Sequence, residues 1–350
     1  MKKRRFSQIL RAALLFSALA AMSGTALAAN TPEAGKAKYI WKMATLAPKD
    51  VGWAIHVKGL LIPWVRDVSK GEVFIKVYWG GVMGDEKSVI NKMGVGQLQG
   101  AGFSGQGTVL LCPEFAVMEL PFLFNNWAEV DYIKDKMTET MDVYMAKKGV
   151  KLLLWNDQDF DQIYSVKYKF DSLDQFPKAK FFTWYGTVEE AVFRRLGTSP
   201  IVVDVPEAPT AVRQGIADSA IGPSLFMIGA QMYSVIRYVN PVKIRYSPSP
   251  IVVTLAAWKS LPKVFADAFA KDRYRLVKEY CARTRVDGDK GIAAMLKYGV
   301  QMVKMKPEVE AEMRKRTRPV WDELAGKLYP RQLLDEVMRN LADYRAGRRS

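Results

Sequence analysis

The sequence is poor in the residues that build metal and nucleophile chemistry. Its 350 residues include one histidine, His56, and two cysteines, Cys112 and Cys281. A single imidazole cannot make a multi-histidine centre, and two sulfurs so far apart in the chain cannot make a cysteine-rich zinc site. No Walker loop and no G-x-S-x-G elbow occurs. There is no internal repeat and no low-complexity tract. Acidic residues are also in deficit: 36 Asp+Glu face 52 Lys+Arg, a formal charge of +16. Such a surplus raises nucleic acid, an anionic membrane surface or an acidic ligand as partners. What is present is an ordinary globular composition, 49% hydrophobic and 25% charged, long enough for one large or two medium domains.

The first residues carry part of that charge. Lys2, Lys3, Arg4, Arg5 and Arg11 precede an apolar run from Ala12 to Ala21, and Ala26-Leu27-Ala28 follows. A basic segment, a short apolar run and an A-x-A site predict a signal peptide over residues 1–28, hence export to the periplasm. Ala29 rather than Cys follows the site, so no lipid anchor is indicated. No later stretch reaches the ~18 uninterrupted apolar residues of a membrane span, so no stable membrane insertion is expected once the signal is removed. Most of the remaining surplus lies in residues 257–350, with its densest cluster at Arg314-Lys315-Arg316 and Arg318. This cluster reads as a solvated helix face. Nucleic acid is not an expected partner, because no interleaved aromatics or recognisable module accompany the charge.

From Tyr39 onward, short β-rich runs alternate with helical segments. Strands are predicted at 39–46, 73–79, 99–103, 151–155, 163–166, 180–184, 201–203, 217–221, 242–246 and 251–255. Helices are predicted at 53–68, 86–96, 126–147, 188–196 and 207–214. This alternation predicts an α/β architecture with mostly parallel sheets. After Pro262 strand signals fade, and a long helix followed by a helical tail is expected.

Motif by motif, catalysis finds little support. Gly100-x-Gly102-x-x-Gly105 with Glu119 downstream fits a dinucleotide fingerprint in outline, but Gly107 and Pro113 break the helix that should follow. A glycine-rich loop that brings backbone close to a small ligand is the better reading. Asp157, Asp159 and Asp161 resemble half of a calcium loop but lack its glycine and distal glutamate, and read as a polar hinge. His56, on the first predicted helix, would be the base of a secreted α/β hydrolase, which is the enzyme alternative. Cys112 and Cys281 are either a disulfide or two buried thiols. Neither a cofactor nor a metal is expected.

What remains is a set of loops after strand ends, at 45–53, 79–86, 103–107 and 183–186, rich in Gly, Trp, Phe and hydroxyl or amide side chains. In open α/β sheets ligands bind there. At these loops the sequence resembles the solute-binding proteins of TRAP transporters, over about residues 39–300. The residues that carry the resemblance are Thr45-Leu46-Ala47-Pro48, the G-G-V-M-G-D-E turn at 80–86 and the run from Ile90 to Gly102. Others are Pro113-Glu114-Phe115, Glu119-Leu120-Pro121-Phe122-Leu123-Phe124, Lys180 opening a strand, the turn from Leu196-Gly197 to Pro200, and the stretch from Ala211 to Asp218.

The resemblance implies a two-lobed fold with a cleft between the lobes, crossing hinge strands and a long C-terminal helix. It implies a non-enzymatic receptor that hands a small-molecule ligand to TRAP membrane permease subunits. The first lobe is expected to hold residues 39–156 plus 243–280, the second 157–242 plus 281–350. Proteins of this kind place carboxylate-binding arginines at positions that correspond here to Phe182 and to the neighbourhood of Gln162, and neither is an arginine. A charge-assisted bidentate pair contributes roughly 1.5–3 kcal/mol, so its loss argues for a neutral, hydrophobic or lipid-like ligand. The alternative is a small organic acid held by a displaced clamp from Lys49, Arg213 or Arg237. The ligand-binding residues expected are Trp53, Phe103, Ser104, Gln106, Phe122, Gln162, Phe182, Thr183, Trp184, Tyr185, Ser224 and Phe226.

Overall fold

The structure, a computed structural model, describes residues 37–184 and 186–348. The expected signal peptide and Tyr185 lie outside the described residues. Among the described residues nine strands form one sheet: β1 (Tyr39–Thr45), β2 (Val73–Tyr78), β3 (Gly100–Gly102), β4 (Val150–Ser165), β5 (Phe181–Thr183), β6 (Ile201–Val202), β7 (Ser219–Gly222), β8 (Tyr238–Thr254) and β9 (Gln301–Met302). Their order is β2-β1-β3-β8-β4-β7-β5-β6, with β9 on β8. At one end β2, β1 and β3 run parallel; at the other β7, β5 and β6 do the same. Between them β8 and β4 pair antiparallel with each other and with the flanking strands β3 and β7. Each lobe is thus a parallel α/β unit, and the two long strands carry the chain from one lobe to the other.

Those crossing strands differ from the sequence expectation. Residues 151–155 and 163–165, read as parts of separate strands, are the two ends of the single β4, and 242–246 and 251–254 both lie in β8, with Leu255 opening the next helix. The aspartates at 157, 159 and 161 do not break β4, because each meets a partner described below. Proline lacks the N–H a ladder needs, yet Pro248 and Pro250 stay inside β8. The pairing register shifts between Asp157 and Asp159, next to Pro248, and again between Leu152 and Leu154 and between Asp161 and Ile163. Such bulges bend and twist a strand pair, which suits a connection between two lobes.

Helices cover both faces. Asn126 caps the helix Trp127–Lys147 by accepting from the Glu129 N–H, a stabilisation of about 1 kcal/mol. The predicted first helix is continuous but contains a π-helical turn, Val57–Leu61, between Gly52–His56 and Ile62–Val68. The long helix Lys263–Lys297 has 35 residues, about 52 Å at 1.5 Å per residue, and packs on β4 and on helices of both lobes. It comes close because Gly288 has no side chain: a Cβ there would stand 3.2 Å from an Asp159 oxygen. The tail helices Pro307–Thr317, Val320–Leu324 and Arg331–Arg345 bury Met313, Val320, Trp321, Val337 and Leu341 in the main core. In the basic cluster, Arg314, Arg316 and Arg318 pair with Glu310, Glu312 and Asp322 one turn away, the pattern of a solvated helix face. Among the described residues no helix is long and apolar enough to cross a membrane.

Candidate functional site

The loops that leave the carboxyl ends of the parallel strands converge on one cavity. Thr45, Leu46, Ala47 and Pro48 follow β1, Trp79 follows β2, and Phe103 and Ser104 follow β3. The Gly81 and Gly80 N–H groups donate to the Thr45 and Ala47 carbonyls and hold two of these loops together. The second lobe adds Trp184, Val205 and Phe226; the crossing strands add Gln158, Ser249 and Ile251; the long helix adds Tyr280. Trp53, Val57 and Leu61 come from the first helix, the latter two from the ends of its π-helical turn, a feature frequent at functional sites. The cavity opens to solvent at its mouth, and the space within it and the mouth together is about 830 Å³.

The walls are aromatic and neutral. The ring of Trp184 lies 5.0 Å from that of Phe226 and 5.8 Å from that of Phe182. The polar ends of two aromatic residues are turned to backbone: Trp53 Nε1 donates to the Gln158 carbonyl at 3.3 Å, and the Tyr280 hydroxyl donates to the Trp53 carbonyl at 3.1 Å. Ser249 donates to the Phe103 carbonyl at 2.9 Å. Among the described residues, those lining the cavity include no Lys, Arg, His, Asp or Glu.

Behind this wall lies a buried ion cluster. Arg245, on β8, donates from Nε to Asp161 at 2.7 Å, from Nη1 to Glu119 at 2.7 Å and from Nη2 to Glu189 at 2.6 Å. All four side chains are at most 5% exposed. Glu189 also accepts from Gln106 Nε2 at 3.0 Å and from the Thr183 hydroxyl. Three carboxylates share one guanidinium. Burial, only partly offset by Arg245, pushes Glu119 up to about 8 and Asp161 up to about 7, and the neighbouring carboxylates add to both shifts. Among the described residues, one oxygen of each has no hydrogen-bond partner. Glu86, at the start of the helix Glu86–Gly94, accepts from the backbone N–H of Ser104 and from its hydroxyl, both at 2.6 Å, and burial raises its pKa.

A second cluster lies four residues away on β4. Asp157 accepts from Lys134 Nζ at 2.8 Å, Tyr246 at 2.8 Å and Arg285 Nε at 2.9 Å. Burial would raise its carboxyl, but Lys134 and Arg285 more than offset that and hold it at about 2. Between the two, Asp159 accepts from the Ser224 hydroxyl at 2.8 Å, and burial pushes it up to about 6. The three aspartates thus go to three different partners.

Of the expected ligand-binding residues, Trp53, Phe103, Ser104, Trp184 and Phe226 line the cavity. The others described stand elsewhere. Gln106 and Thr183 hold Glu189, and Ser224 holds Asp159. Gln162 accepts from the Tyr164 hydroxyl, Phe182 belongs to the second lobe's core, and the guanidinium of Arg314 lies 4.3 Å from the Phe122 ring. The glycine-rich loop behaves differently from expectation: a Cβ on Gly105 would meet Glu119 at 2.9 Å, and one on Gly107 would overlap Glu86, so these glycines make room for buried carboxyls. Lys49, Arg213 and Arg237 are exposed and do not line the cavity. Cys112 and Cys281 are buried free thiols. His56 holds Asp287 through Nε2 at 2.8 Å and meets the Tyr280 ring edge-on.

Gln158, Ser249 and Tyr280 were not found in advance. The first two lie in strand interiors rather than loops, and Tyr280 lies on the long helix, 227 positions from the Trp53 carbonyl it bonds. No local pattern marks such a residue.

Comparison with known proteins agrees with this architecture. The model of the DctP family, bacterial extracellular solute-binding protein, family 7, matches residues 61–327. The 2,3-diketo-L-gulonate-binding periplasmic protein of Escherichia coli is 20% identical over 240 residues, 68% of this chain and 73% of that protein. An uncharacterised protein of Haemophilus influenzae is 24% identical over 190 residues, 54% of this chain, and there the match spans only 57% of the relative's length. The structure of a TRAP periplasmic solute binding protein of Desulfovibrio salexigens, with bound orotic acid, superposes with a TM-score of 0.82 at 17% identity, covering 87% of this chain and 99% of that one. With two lobes, crossing strands and a cavity at the strand ends, this chain belongs to the bacterial extracellular solute-binding proteins of family 7.

Proposed function

We propose that this protein is a periplasmic receptor that closes over a small neutral, largely apolar solute and delivers it to a TRAP-type membrane permease. The observation that carries the reading is the absence of any charged side chain among the described residues lining the cavity. An anion placed there would lose its hydration without gaining a charge-assisted partner, a penalty of several kcal/mol. An apolar solute gains roughly 25 cal/mol for each Å² removed from water, and Thr45, Ser104, Gln158 and Ser249 can orient it with a few hydrogen bonds. Export rests on the basic and apolar start of the sequence, and the permease on family membership.

The relatives favour a second reading, a small organic or sugar acid, since two of the three named above are a 2,3-diketo-L-gulonate-binding protein and a structure with bound orotic acid. The enzyme reading has nothing comparable, because His56 is bonded to Asp287 and, among the described residues, no hydroxyl or thiol nucleophile is bonded to it. The test is native mass spectrometry and thermal shift on the mature protein against neutral apolar solutes and a set of organic acids. Retention of a neutral ligand is the expected result. Tight binding of succinate or a sugar acid would replace this reading with the second one.

A further inference from the structure

The arginine behind the cavity is fully engaged by the protein itself. Nε, Nη1 and Nη2 of Arg245 each donate to a different carboxylate, from the crossing strand β4 (Asp161), the first lobe (Glu119) and the helix Thr187–Arg195 of the second lobe (Glu189). Asp161 faces Arg245 directly in the strand pairing. Glu119 lies under the glycine loop, in reach of Gly105. Glu189 differs from both: it comes from the opposite lobe to Gln106, whose Nε2 donates at 3.0 Å to the same oxygen that Nη2 of Arg245 reaches, while the Thr183 hydroxyl donates to the other. Gln106 is two residues from Ser104, and Thr183 is one residue from Trp184; both Ser104 and Trp184 line the cavity. A hydrogen-bonded path therefore runs from the cavity wall at Ser104, whose hydroxyl lies 3.3 Å from Gln106 Oε1, through Gln106 to Glu189 and Arg245.

We propose that Glu189 is a specificity-determining residue: its carboxylate fills the anion site of Arg245 from within, so that the lobes close over an uncharged solute and a ligand carboxylate finds no cation. This rests on the reading of the cavity as the ligand site, and names the residue that sets its ligand class. The surrounding charge acts in the same direction. Glu119, Asp161 and Glu189 stand against one guanidinium, and an added anion would raise the burden of buried negative charge. Burial, which Arg245 offsets only in part, raises Glu119 to about 8 and Asp161 to about 7, in keeping with a region short of positive charge. With the Glu189 carboxylate removed, Nη2 of Arg245, Nε2 of Gln106 and the Thr183 hydroxyl lose their shared acceptor and can donate together to an incoming carboxylate.

The experiment compares wild type, Glu189→Ala and Glu189→Gln for binding of N-phenyl-1-naphthylamine, a neutral apolar fluorophore, and benzoate, a carboxylate of related shape. The expected result is that the ratio of benzoate to fluorophore affinity rises at least about tenfold, or 1.4 kcal/mol, in Glu189→Ala. It should rise less in Glu189→Gln, whose amide oxygen still accepts from Arg245. A second readout serves where Glu189→Ala is too unstable to titrate: acetate, against a chloride control of equal ionic strength, should raise its Tm but leave that of the wild type unchanged. An unchanged ratio together with no acetate-specific rescue overturns the proposal while the receptor reading stands. Failure of the fluorophore to bind wild type, or binding that survives Leu46→Arg in the cavity wall, overturns the receptor reading and this proposal with it.

Discussion

Two buried clusters on the same pair of strands solve opposite problems. At Asp157 one carboxylate faces two cations, Lys134 and Arg285; at Arg245, opposite Asp161, one cation faces three carboxylates. Asp157 is held ionised at about 2, while Asp161 is pushed up to about 7 and Glu119 to about 8. Residues of one type, four positions apart in one strand and equally buried, thus differ in protonation because of the number and sign of their neighbours. Burial alone raises a carboxyl; only the balance of partners decides whether it stays raised.

The largest expected effect comes from removing the single cation of the acid-rich cluster. Arg245→Met leaves three buried carboxylates unpaired and should destabilise by about 3–5 kcal/mol, with a greater loss at pH 8 than at pH 5, where protonation relieves the repulsion. Equal losses at both pH values, measured by urea unfolding, would contradict the proton-holding account. Lys134→Met should destabilise less, by about 1–3 kcal/mol, because Arg285 still faces Asp157.

Titration sharpens the contrast further. Glu119 and Asp161 hold protons in the fold that the unfolded chain releases above the ordinary values of 4.5 and 3.8. Their contribution to stability is therefore full below those values and lost as pH rises toward 7 and 8. Asp157 has the opposite sign: its contribution is present above 3.8 and lost as pH falls toward 2. The Tm should decline from pH 5 to pH 8, and Glu119→Gln should flatten that decline; an unaltered slope would assign it to other groups. The smallest effect is expected from Asp131→Asn, which removes a half-exposed partner of Arg285 and should change stability by about 0–1 kcal/mol.

Much of the lobe architecture was legible in the sequence because it rests on local periodicity. The helix starting at Asn126 and the long helix after Pro262 are marked by a cap residue and by a run without breakers. The loops at strand ends were legible too, since Gly, Pro and polar residues cluster where parallel strands stop, and Trp53, Phe103, Ser104 and Trp184 of those loops reach the cavity. The crossing strands were not, because Pro248, Pro250 and three aspartates are strand breakers by local rules. They are retained here through bulges and specific partners from distant elements.

Chain order and side-chain chemistry alone established an α/β protein with cleft loops, a nearly neutral body and no arginine at Phe182 or Gln162. Which carboxyls are charged, and what each polar residue near the cleft holds, depended on folding. Arg245 meets Glu119 across 126 positions and Glu189 across 56, and no local pattern encodes such a meeting. Electrostatics in a buried site is set by every charge within a few ångströms, so the same Gln106 and Thr183 that read as ligand contacts in the sequence became supports for Glu189 once the lobes came together.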